Sequence, residues 1–179
     1  KSIKKNEINV IFHLGAITQV LESLKNPYET HLTNVMGTIN FLENIRSINK
    51  KIIFIYSSSD KAYGELKNSN QYKETDALDS TYPYDVSKSA SDLICQSYSK
   101  TYSMKVGIIR CGNIYGPGDF NLKRLIPEVI LSTIAKKNFV IRSNGKSIRD
   151  YVYVEDVVDA YLKLFKKLKN SKNKLKIYN

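Results

Sequence analysis

Cysteine and histidine are scarce in this sequence of 179 residues, which has two of each. With only Cys95 and Cys111 available, a disulfide-stapled secreted scaffold is excluded, and His13 and His31 do not complete the ligand set of a structural zinc site. No apolar run approaches the roughly 18 residues that a membrane span requires. What remains is the composition of an ordinary globular protein, with 42% hydrophobic and 25% charged residues.

Acidic residues are in the minority: the chain has 17 Asp and Glu against 28 Lys and Arg, for a net charge of +11. Such a charge attracts polyanions, including nucleic acids and nucleotides. Lysine is most frequent in residues 1–5 and 163–176, which indicates a solvated basic surface at the two ends. A non-catalytic basic module that binds nucleic acid or a protein partner is therefore one hypothesis, and an enzyme is the other.

Apolar runs alternate with helical patterns along the chain. Residues 10–14 are typical of a strand buried on both faces, while residues 27–46 show apolar positions every three or four residues, as in a helix. Asn26 and Pro27 suit the N-cap and first position of that helix. By the same criteria we predict strands at 10–14, 52–56, 106–110, 139–142 and 175–178, helices at 27–46, 84–102, 125–137 and 155–169, and loops at 57–82 and 112–121.

This order of elements predicts an α/β fold with a doubly wound, Rossmann-like parallel sheet. In such sheets ligands bind beyond the carboxyl ends of the strands. The segments that directly follow the strands, namely Gly15 with Ala16, residues 57–61 and residues 111–121, are therefore the candidates for a functional site.

Tyr84 and Lys88 form a Y-x-x-x-K pair, which on a helix places both side chains on one face. A nearby ammonium favours the phenolate, so the pair could take a proton from a sugar hydroxyl while hydride leaves the same carbon. Ser59 follows a buried strand and could hydrogen-bond the same oxygen. Taken singly, each of these features also has a purely structural interpretation. Tyr84 and Lys88 can be a pair on the surface of a helix, and Ser59 can belong to a turn. Asp60 and Lys61 can form an exposed ion pair.

Seven ordered blocks of the sequence resemble the extended short-chain dehydrogenase/reductases that act on nucleotide sugars. The Tyr84–Lys88 pair lies in a segment similar to the P-Y-x-x-S-K helix of that family, after a serine-rich strand end. The blocks are His13-Leu-Gly-Ala16, Asn26-Pro27 with Thr33-Asn34-x-x-Gly37-Thr38, Ser57 to Gly64, Tyr82-Pro-Tyr-Asp-Val-Ser-Lys88, Arg110-Cys-Gly-Asn-Ile-Tyr-Gly-Pro117, Arg124-Leu-Ile-Pro127 and Arg149-Asp-x-x-Tyr-Val-x-Asp156. Seven blocks in order are far more specific than any one of them.

The resemblance implies NAD as cofactor, a nucleotide-diphosphate hexose as substrate and no metal. The catalytic residues would be Ser59, Asp60, Lys61, Tyr84 and Lys88. The cofactor would lie along Leu14, Gly15, Ala16, Thr33, Ser57, Ser58 and Asn113, together with Tyr84 and Lys88. The substrate would contact Ser59, Asn113, Arg124, Leu125, Val140, Ile141, Arg142 and Arg149. The Arg149 guanidinium suits a diphosphate, although an ion pair with Asp150 or Asp156 is the alternative.

The Ser59-Asp60-Lys61 triplet indicates the type of reaction. Members of the family that expel the C6 hydroxyl as water carry an acid after the serine, and the Asp-Lys order most resembles the CDP-glucose 4,6-dehydratases. The resemblance implies that Lys61 removes the C5 proton and that Asp60 protonates the departing C6 oxygen. For these roles Asp60 must start protonated and Lys61 must start neutral. Burial favours these uncharged forms, whereas the mutual attraction of the two charges opposes them. A 4-epimerase or another oxidoreductase of the family is the alternative.

The glycine-rich fingerprint G-x-x-G-x-x-G of the family, and the acidic residue that holds the adenosine ribose, have no counterpart here. We therefore expect a fragment that lacks the first βαβ units and is inactive by itself. Residues 1–113 would be the C-terminal part of the NAD-binding domain, and residues 114–179 part of a small substrate domain interleaved with returning sheet elements. The parent enzyme is expected to be a cytoplasmic homodimer without nucleic-acid or membrane partners. His13, Cys95 and Cys111 are expected to serve in packing.

Overall fold

The computed structural model describes residues 3, 6–65, 71–141, 144–146 and 148–179. Its strands are β1 (Val10–His13), β2 (Ile53–Ser57), β3 (Val106–Ile109), β4 (Asn113–Tyr115), β5 (Tyr151–Tyr153) and β6 (Leu175–Tyr178). Four of them form a sheet in the order β1-β2-β3-β6, and every neighbouring pair is parallel. The carboxyl ends of these strands therefore meet at one edge. The prediction of a Rossmann-like parallel α/β sheet is confirmed.

The helices are α1 (Val20–Lys25), α2 (Pro27–His31), α3 (Gly37–Ile48), α4 (Pro83–Tyr102), α5 (Leu125–Ile134) and α6 (Val154–Lys169). The predicted helix at 27–46 is divided, because Leu32–Met36 forms a π-helical turn between α2 and α3. Helix α1 was not predicted, since its six residues are too few to show a clear period. A four-residue 3₁₀ turn, Asp60–Tyr63, lies in the predicted loop after β2. None of the helices among the described residues is long and apolar enough to cross a membrane.

The chain forms two compact units, one of residues 1–111 with 160–179 and the other of residues 112–159. In the first unit, β2 and β3 are buried along almost their whole length, with Phe54, Val106 and Ile108 among the core residues. Strand β1 is only half-buried at three of its four positions, which corrects the prediction of a strand covered on both faces. Strand β1 lies at one end of the four-stranded order and has a neighbouring strand on one side only, so it is less covered than β2 and β3.

The C-terminal half of α6 packs on β3 in the same unit, and Gly107 permits the close approach. A methyl group on Gly107 would lie 2.8 Å from side-chain carbons of both Leu164 and Leu168. The Nζ of Lys105 donates hydrogen bonds to the carbonyls of Leu168 and Lys169, at 2.8 and 2.9 Å. This ammonium satisfies free carbonyl groups at the end of α6 and complements the negative end of the helix dipole.

The second unit contains α5 and the parallel pair of β4 and β5. The predicted strand at 139–142 is wrong: residues 139–141 form no strand, Val140 and Ile141 are exposed, and Arg142 lies outside the described residues. An apolar run of this length is ambiguous by pattern alone. The strand pairing in this unit instead joins Asn113–Tyr115, inside the predicted loop, to Tyr151–Tyr153.

Candidate active site

The 3₁₀ turn after β2 is organised by the Ser59 and Asp60 side chains. Ser59 is its N-cap, and its Oγ accepts a hydrogen bond from the Lys61 amide at 3.2 Å. Asp60 Oδ1 accepts from the Ser59 hydroxyl at 2.9 Å and from the Lys61 amide at 2.8 Å. Ser59 is buried, while Asp60 and Lys61 are half-buried. The predicted acid and base therefore occupy a rigid turn directly beyond the carboxyl end of β2.

Asp60 and Lys61 do not form the ion pair that was considered as the alternative. The ion pairs between described residues are Arg46–Glu43, Arg110–Asp92 and Arg124–Asp119. Backbone and hydroxyl donors engage one oxygen of Asp60, which leaves the other carboxylate oxygen available to a further group.

Helix α4 carries Tyr84 and Lys88, and both side chains are buried. The helix begins with Pro83 at its first position, and the Tyr84 amide donates to Ser23 Oγ at 3.2 Å. The Lys88 Nζ donates to the carbonyl of Ser57 at 2.6 Å and lies 5.0 Å from the centre of the Tyr56 ring. Lys88 therefore ties the helix to the end of β2, on the side of the sheet where the 3₁₀ turn begins.

Burial lowers the pKa of Lys88 to about 8, although the nearby Asp92 and Cys95 oppose the shift. At neutral pH most of this amine remains protonated, so a cation stands one helical turn from the Tyr84 phenol. The positive charge of Lys88, after burial, also lowers the pKa of His13. Lys88 and His13 thus share a poorly solvated region at the carboxyl ends of β1 and β2.

The pKa of Lys88 predicts how stability depends on pH. An unfolded lysine titrates near 10.5 and the folded one near 8, so the unfolded chain binds more protons between these values and folding becomes more favourable as pH rises. In the full-length protein, we expect the wild type to gain on the order of 3 kcal/mol of unfolding free energy relative to Lys88→Met across this window. Urea unfolding of both proteins at neutral and alkaline pH measures the gain. A difference that stays constant with pH contradicts it.

Asn34 is a site residue that the sequence analysis quoted in a motif but assigned no role. Its buried side chain accepts from the Ile17 amide at 2.8 Å and donates to the Ile17 carbonyl at 3.0 Å and to Ser87 Oγ at 2.9 Å. It lies within the π-helical turn, a feature frequent at functional sites. Asn34 thereby joins the loop after β1 to the helix of Tyr84 and Lys88. Its place in the Thr33-Asn34-x-x-Gly37-Thr38 block was the one feature of the sequence that could have indicated this role.

His13 is a packing histidine, as predicted. Its ring is buried against Phe41, Phe54 and Tyr56, and its Nε2 lies 3.1 Å from Thr38 Oγ1. The Thr38 hydroxyl donates to the Asn34 carbonyl at 2.7 Å, so His13 Nε2 is the donor to that hydroxyl. Cys95 is likewise buried in the core cluster and Cys111 is half-buried with its pKa raised by burial to about 11, so neither is activated as a nucleophile.

Several predicted cofactor residues of the first unit offer accessible positions for a ligand. Leu14 and Gly15 are exposed directly after β1. A Cβ on Gly15 would meet nothing within 4 Å, so there is open space beside this residue. Thr33 is exposed as well. Ser58 Oγ is buried and receives no hydrogen bond from any described residue, an arrangement that a bound polar group would satisfy. These are the positions where the resemblance places the cofactor.

The second unit contains a cavity of its own. Asn113, Arg124, Leu125 and Arg149, four of the predicted substrate residues, all line it. Arg124 donates to Asp119 Oδ2 and to the Ile114 carbonyl, both at 3.0 Å. Arg149 pairs with neither Asp150 nor Asp156 among the described ion pairs, so its charge is available to a ligand. Val140 and Ile141 are not among the lining residues.

A parallel α/β sheet with a serine turn, a buried tyrosine and a buried lysine near its carboxyl edge is the arrangement that the resemblance to the short-chain dehydrogenase/reductases implies. The family model described as "NAD dependent epimerase/dehydratase family" matches residues 1–179. The chain belongs to this family, as the sequence analysis predicted.

Similar proteins include both dehydratases and epimerases. A "Probable dTDP-glucose 4,6-dehydratase" of Sinorhizobium fredii is 36% identical over 154 residues, which are 82% of this chain and 44% of that protein. The dTDP-glucose 4,6-dehydratase DesIV of Streptomyces venezuelae, solved as a double mutant with NAD, superposes with a TM-score of 0.84 at 26% identity, covering 98% of this chain and 52% of that one. A UDP-glucuronic acid 4-epimerase of Bacillus cereus, solved with NAD, superposes with a TM-score of 0.85 at 25% identity, covering 99% of this chain and 55% of that one. The chain thus spans about half or less of these relatives.

Proposed function

We propose that the protein containing this chain is an NAD-dependent nucleotide-sugar 4,6-dehydratase. The observation that carries the proposal is the Asp60–Lys61 pair, held by an N-capped 3₁₀ turn that packs on α4, the helix of Tyr84 and Lys88. A separate acid and base beside a Tyr–Lys pair is what removal of water requires in addition to oxidation. The similarity to the Sinorhizobium and Streptomyces dehydratases supports the same conclusion.

The cofactor would be held in the first unit by Leu14, Gly15, Ala16, Thr33, Ser57 and Ser58, with Lys88 beside it. NAD+, when bound, supplies the acceptor for the C4 hydride and later the donor of hydride to C6. The orphaned hydroxyl of Ser58 and the open space over Gly15 are consistent with such a ligand.

Tyr84 removes the proton of the C4 hydroxyl, and the Lys88 ammonium favours the phenolate form that makes this possible. Ser59 orients the same substrate oxygen: its hydroxyl exchanges the hydrogen bond to Asp60 Oδ1 for one donated to that oxygen. The ketone that forms at C4 acidifies the C5 proton, which Lys61 removes. Asp60 protonates the C6 oxygen, which leaves as water. Once C6 has received hydride, Lys61 gives a proton back to C5, and the product is a 4-keto-6-deoxy sugar.

The nucleotide diphosphate of the substrate is assigned to the cavity of the second unit. The Arg149 guanidinium forms no ion pair with another described residue and suits a diphosphate. Arg124 lines the same cavity and is oriented by its hydrogen bond to Asp119. CDP-glucose stays the predicted substrate from the Asp-Lys order, while the curated relatives are named for dTDP- and UDP-glucose.

The homodimer also stays a proposal. Several large apolar side chains on the outer helices of the first unit are exposed, including Leu21, Tyr28 and Met36, and Leu93 on α4 itself. A contiguous exposed apolar surface is typical of a protein–protein contact, and these side chains are candidates for one. The resemblance implies a subunit contact through a helical bundle that includes α4.

The product decides between dehydration and epimerisation. The full-length protein is incubated with CDP-, dTDP-, UDP- and GDP-hexoses, and the products are followed by mass. We expect a product lighter by one water from one of them, and no such product from the Lys61→Met or Asp60→Asn variants, because each lacks one proton-transfer group of the elimination. Both variants should still reduce bound NAD+ with the same substrate, since Tyr84 and Lys88 are intact.

A 4-epimerase is the second candidate, favoured by the similarity to the Bacillus cereus enzyme. Wild-type conversion without change of mass, retained in Lys61→Met, would establish that function and overturn the dehydratase. Lys137→Met, a change at an exposed lysine of the second unit, is the matched control and should behave as the wild type.

A further inference from the structure

The Tyr63 hydroxyl is a buried polar group that the proposed mechanism does not use. Tyr63 is the last residue of the 3₁₀ turn that begins with Asp60 and Lys61, and only 4% of it is exposed. Its hydroxyl accepts a hydrogen bond from Arg110 Nη1 at 2.6 Å and donates one to Asn179 Oδ1 at 2.7 Å. A phenol has a single proton to donate, so these two bonds fix the direction of the hydroxyl. The end of the turn is thereby joined to the residues that directly follow β3 and β6.

The Tyr63 ring is held as well. It stacks on the Tyr72 ring with centres 4.6 Å apart and planes 10° from parallel, and the Arg110 Cζ lies 4.9 Å from its centre. The Tyr72 hydroxyl donates to the carbonyl of Gly64, the residue after the turn, at 2.6 Å. Asn179 Nδ2 donates to the Tyr72 carbonyl at 3.0 Å. Three segments that are remote in sequence therefore fasten the end of the turn through one side chain.

The beginning of the turn is fastened by other contacts. The Asp60 amide donates to the Cys111 carbonyl at 3.1 Å, and Ser59 caps the turn. The side chains of Asp60 and Lys61 take part in none of the ion pairs between described residues. The backbone of the turn, anchored at Asp60 and at Tyr63, therefore sets the directions in which these two side chains point.

Tyr84 and Lys88 are positioned independently of this anchor. The Tyr84 amide donates to Ser23 Oγ at 3.2 Å, and the Lys88 Nζ donates to the Ser57 carbonyl at 2.6 Å. Neither contact involves Tyr63. The groups assigned to the oxidation and the groups assigned to the removal of water thus have separate supports, so a change at Tyr63 should disturb the second set alone.

We propose that Tyr63 is a positioning residue for the removal of water: its hydroxyl, held between Arg110 and Asn179, fixes the turn so that Asp60 reaches the C6 oxygen and Lys61 reaches the C5 proton. The inference rests on the proposed function. An acid and a base must lie within hydrogen-bond reach of their substrate atoms, and a displacement of about 1 Å can lower a rate by about 10²-fold. A turn fastened at only one end samples such displacements.

Tyr63→Phe tests the proposal, because it removes the hydroxyl and keeps the stacked ring. Arg110 Nη1 retains the Glu74 carbonyl as a partner at 3.2 Å. In single turnovers of the full-length enzyme with bound NAD+ and the nucleotide sugar that it dehydrates, we expect the loss of water, followed by mass after rapid quenching, to slow by about 10- to 100-fold. The reduction of NAD+, followed by absorbance, should stay close to the wild-type rate. Reduced cofactor should therefore accumulate in the variant, a spectroscopic signature that a loss of stability alone would not produce.

Tyr98→Phe is the matched control. The Tyr98 hydroxyl also makes a short hydrogen bond, to Glu43 Oε1 at 2.6 Å, which joins α4 to α3 and does not involve the turn. The control therefore loses a contact of the same kind at another place in the first unit. Both steps should run at close to the wild-type rates in this variant.

The outcomes separate this inference from the proposed function. Water loss at the wild-type rate in Tyr63→Phe, or equal slowing of both steps, overturns the role of Tyr63 and leaves the dehydratase standing. A full-length protein that removes water from none of the CDP-, dTDP-, UDP- and GDP-hexoses overturns both. Should Tyr63→Phe fail to fold, Asn179→Ala decides by the same comparison, because it removes one partner of the hydroxyl at an exposed position and should slow only the loss of water.

Discussion

Replacement of Tyr84 by phenylalanine is expected to lower the rate at which a nucleotide sugar reduces bound NAD+ by about 10²–10⁴-fold in the full-length protein. The change removes one hydroxyl from a buried ring and with it the base for the C4 hydroxyl proton. Lys88 keeps its hydrogen bond to the Ser57 carbonyl, because that contact does not involve the phenol. Stopped-flow absorbance of the reduced cofactor measures the step directly.

Tyr82 offers a matched control two residues away. It is 51% exposed and precedes the first turn of α4, so Tyr82→Phe removes the same atom outside the buried region. We expect this variant to reduce the cofactor at nearly the wild-type rate. Equal rates for Tyr84→Phe and the wild type would remove the phenol from the mechanism of both a dehydratase and an epimerase.

Loss of the Arg110 guanidinium is expected to cost about 3–5 kcal/mol of unfolding free energy. Arg110 is buried at the end of β3 and bonds both oxygens of Asp92, at 2.9 and 3.0 Å. Its Nη1 also donates to the Tyr63 hydroxyl at 2.6 Å, which in turn donates to Asn179 Oδ1 at 2.7 Å. Arg110→Met would leave the Asp92 carboxylate fully buried without its cation, and urea unfolding of the full-length protein measures the loss.

A second arginine provides the comparison. Arg46 makes a bidentate contact with Glu43 on α3, but both side chains are more than a third exposed. Arg46→Met should change stability little, because solvent already screens this pair. Adding Asp92→Leu to Arg110→Met should recover part of the loss, since no unpaired charge then remains buried. Equal effects of the two arginine changes would contradict a stabilising role for the buried network.

The same network explains how the Asp60–Tyr63 turn is held in place. Tyr63 ends the turn, stacks on Tyr72 with ring centres 4.6 Å apart and receives the Arg110 hydrogen bond. The Arg110-x-x-Asn block was recognised as a family signature, yet its spacing says nothing about which carboxylate the arginine meets. That partner, Asp92, lies 18 positions away on α4 and became evident only from the folded chain.

Local sequence patterns were sufficient to predict the helices and strands that pack on a continuous core. Strands β2 and β3 were predicted because fully buried parallel strands are apolar along most of their length, and the predicted helix at 84–102 begins one residue after α4 does. In residues 112–159 the pattern predicted α5 but not the strands, because a three-residue strand there pairs with another nearly forty positions away. The π-helical turn was equally invisible in the pattern, and it contains Asn34, whose partners lie in other segments.

The amino-acid order alone determined the class of fold, the family and the residue types available for chemistry, because burial periodicity and collinear motifs are properties of the chain itself. Only the folded chain decided which groups share a poorly solvated space. Lys88 reaches the end of β2, Arg110 bonds Asp92 on α4, and Asn34 joins two segments that no motif connects. These relations depend on distance and desolvation, which arise when strands and helices far apart in sequence pack together.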